Sequence, residues 1–207
     1  MPFVRQTRRP RRPRVIAGVV GILLLAAATV DGGQAVAPEP EPLRLFERGA
    51  LGIELGIGPY VEAWNLNNNG REWLADGAFS IWWSFASRAT LVVEFHATRV
   101  FQESLRNAFV TGLVPVVRVR MLDRPTWDLF GEIGVGPSWS DTTVPAGGTR
   151  FNYFGLAGMG ISRPVGQRVH AVAGFRWLHL SNNGREGHDH NPDIQALGGY
   201  AAVAVAF

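Results

Sequence analysis

The sequence contains no cysteine and no lysine. Without cysteine, the chain can form no disulfide framework and perform no thiol chemistry. All 20 basic residues are arginines, and six of them lie within residues 5–14. An apolar run at 15–30 and small residues at 35–37 follow this basic segment. The order is typical of a secretory signal peptide, which we place at 1–37 with cleavage between residues 28 and 37.

The charge of the chain changes once this leader is removed. The whole chain has a formal net charge of +3, whereas residues 38–207 contain 14 arginines and 16 acidic residues, a net charge of −2. The mature chain therefore offers no basic surface that would favour nucleic-acid binding. The apolar run is also shorter than the roughly 20 residues of a spanning helix, which favours a cleaved leader over a membrane anchor.

The sequence after residue 47 also lacks a convincing amphipathic helix. Apolar residues instead alternate with small or polar residues at a period of two, which indicates β-strands. Leu51, Ile53 and Leu55, for example, alternate with Gly52 and Glu54. We predict strands at roughly 50–64, 72–85, 89–101, 108–121, 126–138, 151–163, 168–180 and 194–207.

The two faces of these strands differ in a way that indicates a membrane protein. A soluble sandwich would bury the large apolar residues and expose the charges. Here the small and charged face suits the narrow lumen of a barrel, and the apolar face suits lipid. We therefore predict an all-β fold, an eight-stranded antiparallel transmembrane β-barrel of a bacterial outer membrane, over residues 48–207. Residues 38–47 form a short N-terminal lead.

The lumen of such a barrel should hold paired charges, because a buried charge must be compensated. A structural salt-bridge network is expected among Arg118, Arg120, Arg176, Glu54, Glu94 and Glu132, and the inward-facing His96 and His170 are expected to join it. Tryptophans near the strand ends should form interfacial girdles. They are Trp64, Trp73, Trp82, Trp83, Trp127, Trp139 and Trp177.

The connections between the predicted strands alternate in length. Three are tight turns, at 86–88, 123–125 and 165–167. Four are longer and more polar, at 65–71, 102–107, 140–150 and 182–193. Outer-membrane barrels have short periplasmic turns and long external loops, so this alternation favours the barrel over other all-β folds.

Two polar residues near the end of the chain carry the chemistry. His179 and Ser181 are two apart in a predicted strand, so their side chains share one face, which is the outer, apolar face. A serine hydroxyl becomes a nucleophile when an imidazole takes its proton. The adjacent amide of Asn182 is suited to donate to a developing oxyanion. Such a pair at the external end of a strand would meet an acyl ester of a membrane lipid.

The run His179-Leu180-Ser181-Asn182-Asn183-Gly184, followed by Asn191-Pro192 and a final strand, resembles the lipid A 3-O-deacylase (PagL) family. The resemblance implies an outer-membrane enzyme that removes the 3-linked acyl chain of lipid A. It implies catalysis by His179 and Ser181, with Asn182 at the oxyanion and with no metal or cofactor.

The family's third catalytic residue is a glutamate, and the position that aligns with it holds Gln195. A glutamine oxygen can orient the imidazole, but it cannot stabilise the imidazolium by charge. In a serine protease, an acid-to-amide change of this kind costs about 10⁴ in rate. Three carboxylates are candidates to replace the acid: Asp193, Glu186 and Asp189.

Two functions of different classes therefore stay open. One is an ester hydrolase acting on lipid A or lipopolysaccharide in the outer membrane. The other is a non-catalytic structural or adhesive small barrel. The segment 187–190 contains a His-x-His pattern that can bind metal, but a solvated loop is favoured. The sequence leaves open a homodimer formed through the lipid-facing surface.

Overall fold

The computed structural model describes residues 41–64, 71–103, 105–187 and 191–207. The predicted signal peptide at 1–37 lies outside these ranges, and so do His188, Asp189 and His190. Within the described ranges, no helix is long and apolar enough to cross a membrane.

Eight antiparallel strands form a closed barrel in chain order, because β8 pairs with β1. They are β1 (Leu51–Trp64), β2 (Trp73–Ala86), β3 (Ala89–Phe101), β4 (Ala108–Arg124), β5 (Trp127–Val144), β6 (Thr149–Pro164), β7 (Val169–Ser181) and β8 (Ile194–Ala206). The predicted architecture is confirmed. Closure removes the unpaired strand edges that a bilayer could not solvate.

The connections define two ends of the barrel. The turn end holds the short links at 87–88, 125–126 and 165–168, together with Phe207. The loop end holds the links at 65–72, 102–107, 145–148 and 182–193. The predicted turn at 123–125 was placed slightly too early, since β4 continues to Arg124.

The predicted polar loop at 140–150 is wrong, because β5 and β6 continue through most of it. Val144 pairs with Thr149, which leaves only 145–148 as the turn. The polar side chains that suggested a loop bond to backbone oxygens of this hairpin. Ser140 Oγ donates to the oxygen of Arg150 at 3.1 Å, and Asn152 Nδ2 donates to that of Val144 at 3.2 Å.

Side chains alternate between the outer face and the lumen. Leu55 is 65% exposed and Ile57 is 66% exposed, whereas Glu54 is 4% exposed. The outer face is therefore apolar and the lumen holds the charges, as predicted. Four tryptophans are exposed on the outer face near strand ends: Trp64, Trp73, Trp83 and Trp139. Trp82 was wrongly assigned to the girdle. Its even position points it into the lumen, where it is fully buried.

A salt-bridge network fills the lumen. Both terminal nitrogens of Arg118 donate to Glu54, at 2.7 and 2.8 Å, and its Nε donates to Glu132 at 2.9 Å. Arg176 donates to Glu132 at 2.6 Å and to Glu94 at 2.8 Å. The predicted network is thus confirmed for these five residues, and His96 joins it by contacting Glu94.

Two residues expected in this network lie near the turn end instead. Arg120 pairs with Asp123 at 3.0 Å and with Asp128 at 3.5 Å. His170 Nε2 donates to the backbone oxygen of Leu43 at 2.7 Å. Each residue of a strand advances about 3.3 Å along it. Arg120 and His170 lie too close to the turn end to share the partners of Arg118 and Arg176.

The segment at 43–50 packs into the turn end of the barrel. Leu45 and Phe46 are fully buried. Ser84 Oγ donates to the backbone oxygen of Leu45 at 2.6 Å. The last part of the predicted N-terminal lead is therefore packed against the barrel and closes the lumen on that side.

Candidate active site

β7 carries two polar side chains on the outer face at the loop end of the barrel. His179 and Ser181 are two residues apart in the strand and therefore point the same way. His179 Nε2 lies 2.8 Å from Ser181 Oγ, which is hydrogen-bonding distance. Ser181 is 5% exposed, and His179 is half-buried. The two residues singled out from the sequence are in direct contact.

The neighbouring strands shape the surroundings of the imidazole. His179 lies opposite Gly155 on β6 and opposite Gln195 on β8, and Ser181 lies opposite Tyr153 on β6. A Cβ added at Gly155 would lie 3.6 Å from the Cβ of His179. The glycine therefore leaves the β6 side of the imidazole without a flanking side chain.

Gln195 bonds to two residues other than His179. Its Oε1 accepts a hydrogen bond from Trp177 Nε1 at 2.8 Å, and its Nε2 donates to Asp193 Oδ2 at 2.5 Å. His179 Nδ1 and Asp193 Oδ1 are both buried and have no hydrogen-bond partner among the described residues. The orienting bond from the imidazole to Gln195, expected from the sequence, is not formed in this arrangement.

Asn182 begins the turn that follows β7. Its side-chain oxygen accepts from the backbone N–H of Gly184 at 2.9 Å, and its own N–H donates to Asn191 Oδ1 at 3.1 Å. Asn183 and Gly184 have positive φ angles of 56° and 71°, which asparagine and glycine tolerate best. The Asn-Asn-Gly motif therefore builds this turn and places Asn182 directly beside the serine.

A cavity of about 270 Å³ opens beside Asn182 and is lined by Thr149, Phe151, Asn182, Arg185 and Glu186. Glu186, one candidate for the missing acid, is exposed and lines this cavity. Asp193, another candidate, is 5% exposed and bonded to Gln195. Asp189, the third, lies outside the described residues. Asp193 is therefore the carboxylate that the structure ties to the site.

Trp177 belongs to the site, although its sequence pattern suggested only an interfacial girdle. Its ring stacks on His179, with centroids 5.6 Å apart and planes 24° apart. It also holds Gln195 through its indole N–H. The sequence could have shown that Trp177 lies beside His179. Trp177, His179 and Ser181 are each two residues apart and therefore all lie on the outer face of one strand.

The metal hypothesis for residues 187–190 falls largely outside the described ranges. Over the part of the chain that is described, histidines and carboxylates form no group of three that could hold a metal ion.

A sequence model of the lipid A 3-O-deacylase (PagL) family matches residues 60–204, which is most of the barrel. The chain belongs to this family. It is an outer-membrane β-barrel with a lipid A 3-O-deacylase domain. A search of curated protein sequences found no significant match.

Solved structures share the fold of this PagL-family barrel. The outer-membrane enzyme PagL is 18% identical, with a TM-score of 0.51 over 71% of this chain and 97% of PagL. The outer-membrane protein OprG from Pseudomonas aeruginosa is 11% identical, with a TM-score of 0.52 over 77% and 96% of the two chains. Neisserial surface protein A is 10% identical, with a TM-score of 0.50 over 76% and 96%. At these identities the likeness shows the fold alone.

Proposed function

We propose that this barrel hydrolyses the 3-O-linked acyl ester of lipid A, with Ser181 as the nucleophile and His179 as its base. The observation that carries the proposal is the 2.8 Å contact between His179 Nε2 and Ser181 Oγ on the outer face. Polar groups on a lipid-facing surface are costly and therefore commonly functional. Exposed Phe175 and Val203 lie on the same outer face of β7 and β8, so the pair faces the acyl region of the membrane.

The reaction follows the serine hydrolase scheme. Ser181 Oγ attacks the ester carbonyl carbon, and His179 Nε2 takes the hydroxyl proton. The imidazolium then gives this proton to the departing sugar oxygen, which leaves an acyl ester on Ser181. Water, activated by the same imidazole, releases the fatty acid and restores the serine. Asn182 is proposed to donate a hydrogen bond to the oxyanion of each tetrahedral intermediate.

Asp193 is proposed to supply the negative charge that the family's glutamate would provide, acting through Gln195. Residues paired across two strands have Cβ atoms about 5 Å apart, so the amide of Gln195 is within reach of His179 Nδ1. Its hydrogen bond to Asp193 makes the amide oxygen a better acceptor. Trp177 fixes the imidazole plane by stacking. This arrangement would orient the ring without a carboxylate at residue 195 once the Gln195 oxygen also accepts a hydrogen bond from His179 Nδ1, a bond that the structure does not contain.

The first test is the mass of lipid A from a Gram-negative host that expresses the chain. We expect the wild type to remove one hydroxyacyl chain, and both Ser181→Ala and His179→Ala to leave lipid A intact. Ser162→Ala is a matched control, because Ser162 is buried near the turn end and its Oγ has no described partner. It should deacylate normally.

All variants must first be shown to be folded and inserted. The test is the difference in electrophoretic mobility between unheated and heated samples. Unchanged lipid A in the wild-type strain, with the barrel inserted, would reject the deacylase and leave a structural or adhesive barrel. Deacylation that survives Ser181→Ala would reject the proposed nucleophile.

A further inference from the structure

A cluster of aromatic and arginine side chains lies at the loop end, on the strands beside the proposed nucleophile. Trp139 of β5 packs against Phe151 of β6 with centroids 6.3 Å apart, and Phe151 meets Tyr153 edge-on at 5.5 Å. Aromatic rings at strand ends of a membrane barrel lie at the level of the lipid head groups. The cluster therefore marks the depth at which the polar part of a lipid would sit.

Two arginines lie over these rings. The Arg150 guanidinium carbon is 5.6 Å from the centroid of Trp139, and that of Arg185 is 5.2 Å from the centroid of Phe151. Arg150 has an even number but is exposed, and it lies where the β5–β6 register shifts, between the Val144–Thr149 and Trp139–Phe151 pairs. Stacking on a ring holds a guanidinium in place while its edge stays free to donate.

Neither arginine is neutralised by a described carboxylate. Arg150 Nε donates to the backbone oxygen of Ser140 at 3.1 Å, and Arg185 Nη1 lies 3.5 Å from the hydroxyl of Tyr153. No ion pair within 4.0 Å joins either one to an acid of the described ranges, whereas Arg118 and Arg176 in the lumen each pair with glutamates. Within the described ranges, both positive charges are thus without an ion-pair partner at head-group depth.

Of the two arginines, Arg185 lies beside the proposed reaction centre, and Arg150 follows Thr149, which lines the same cavity as Arg185. Tyr153, which contacts Arg185, lies directly opposite Ser181 in the β6–β7 pairing. Arg185 and Asn182 line the same cavity of about 270 Å³. An anion held in this cavity would therefore lie beside Asn182, the residue that follows Ser181.

We propose that Arg150 and Arg185 form an anion site that binds a phosphate of the lipid A head group and positions the ester at Ser181. This inference rests on the proposed function. It names the phosphate as the part of the substrate that the barrel recognises. Lipid A is a phosphorylated glycolipid, and guanidinium groups bind phosphate with paired, charge-assisted hydrogen bonds. Glu186 lines the same cavity and opposes the anion, so it limits the affinity.

The test measures lipid binding separately from hydrolysis. The full barrel carrying Ser181→Ala is titrated in mixed detergent micelles with lipid A or with enzymatically dephosphorylated lipid A, and tryptophan emission is followed. We expect dephosphorylation to weaken binding about a hundredfold, since the charged contacts to both arginines are lost. Arg150→Ala and Arg185→Ala should each weaken binding of intact lipid A about tenfold, since each removes one of these contacts, while leaving the dephosphorylated lipid unaffected.

Further variants separate this site from general surface charge. Arg163→Ala is the matched control, since Arg163 is an exposed arginine at the other end of β6. Adding it to the Ser181→Ala barrel should leave the affinity for lipid A unchanged. Glu186→Gln should strengthen binding about twofold, because a nearby like charge is removed. In the active enzyme, Arg185→Ala should raise KM and leave kcat nearly unchanged.

Equal affinity for the two lipids, or an equal loss with Arg163→Ala, would overturn the anion site. Phosphate-dependent binding that needs Arg185, without any acyl release by the wild type, would keep the site and reject the deacylase. Acyl release with no dependence on either arginine would keep the deacylase and reject the site.

Discussion

At the scale of single residues, the site places a histidine–serine pair beside an amide, Gln195, which the sequence resemblance aligns with the acid of the PagL family. Gln195 is held by Trp177 and Asp193, and His179 Nδ1 has no hydrogen-bond partner among the described residues. The carboxylate that bonds to this amide is Asp193, two residues before the aligned position. The resemblance to the family predicted that Gln195 lies beside the imidazole, but it could not predict which way the amide would turn.

This arrangement leads to a prediction for the charge of the site. Asp193→Asn should lower the deacylation rate tenfold or more, with about 10⁴ as an upper bound from acid-to-amide changes in serine hydrolases. Gln195→Glu alone would place two carboxylates in contact, because Gln195 Nε2 is 2.5 Å from Asp193 Oδ2, and like charges this close disfavour each other. The double variant Gln195→Glu/Asp193→Asn should therefore be faster than Gln195→Glu.

Rates are measured on purified lipid A in micelles across pH, with circular dichroism to confirm the fold. If Asp193→Asn matches the wild type in rate at every pH, Asp193 has no role in orienting His179. A single Gln195→Glu variant as fast as the double variant would show that the two carboxylates do not interact.

At the scale of the elements, the period of two in the sequence predicted the eight strands and which of their faces points outward. It did not predict where some strands end. The β5–β6 hairpin extends to Val144 and Thr149 because its polar side chains bond to its own backbone. Composition alone made this stretch resemble a loop. The sequence also could not predict how tightly each glycine of β8 is packed. Adjacent glycines in this strand differ in the space around them.

Adjacent glycines of β8 should respond oppositely to alanine. A Cβ at Gly198 would lie 2.0 Å from the backbone oxygen of Pro59 and 2.6 Å from the ring of Tyr60 in the lumen. At Gly199, on the outer face, the nearest atom would be 3.6 Å away. Gly198→Ala should therefore destabilise the barrel by roughly 1–3 kcal/mol, as overpacking does, whereas Gly199→Ala should be nearly neutral.

The measurement is the urea midpoint of the barrel refolded into lipid vesicles, read from the fraction that keeps its folded electrophoretic mobility. Equal midpoints for the two alanine variants would mean that the Tyr60 ring and the nearby backbone move to accommodate the added methyl group.

At the scale of the whole molecule, charge fills the lumen and apolar surface covers the outside. Arg118 is fully buried and contacts Glu54, Glu94 and Glu132. Removing one member of such a network leaves uncompensated charges in a closed space. The network therefore links β1, β3, β4, β5 and β7 across the lumen, while the apolar outer face suits a membrane.

Arg118→Met should cost about 3–5 kcal/mol of unfolding free energy, the usual penalty for breaking a buried ion pair. Arg99→Met is the control, since Arg99 is exposed near the loop end, and it should change stability by less than about 0.5 kcal/mol. Urea unfolding in vesicles measures both. Similar losses in the two variants would show that the lumen charges are solvated and not mutually dependent.

The sequence by itself determined the strand number, the outward apolar face, the charged lumen and the placing of His179 and Ser181 on one face, because each follows from a period of two that the backbone imposes locally. Tertiary structure alone decided which carboxylates meet Arg118, where Arg120 and Trp82 lie, and how Trp177, Gln195 and Asp193 surround His179. Those outcomes depend on the register between strands and on rotamers chosen by packing, and neither is encoded in any one segment.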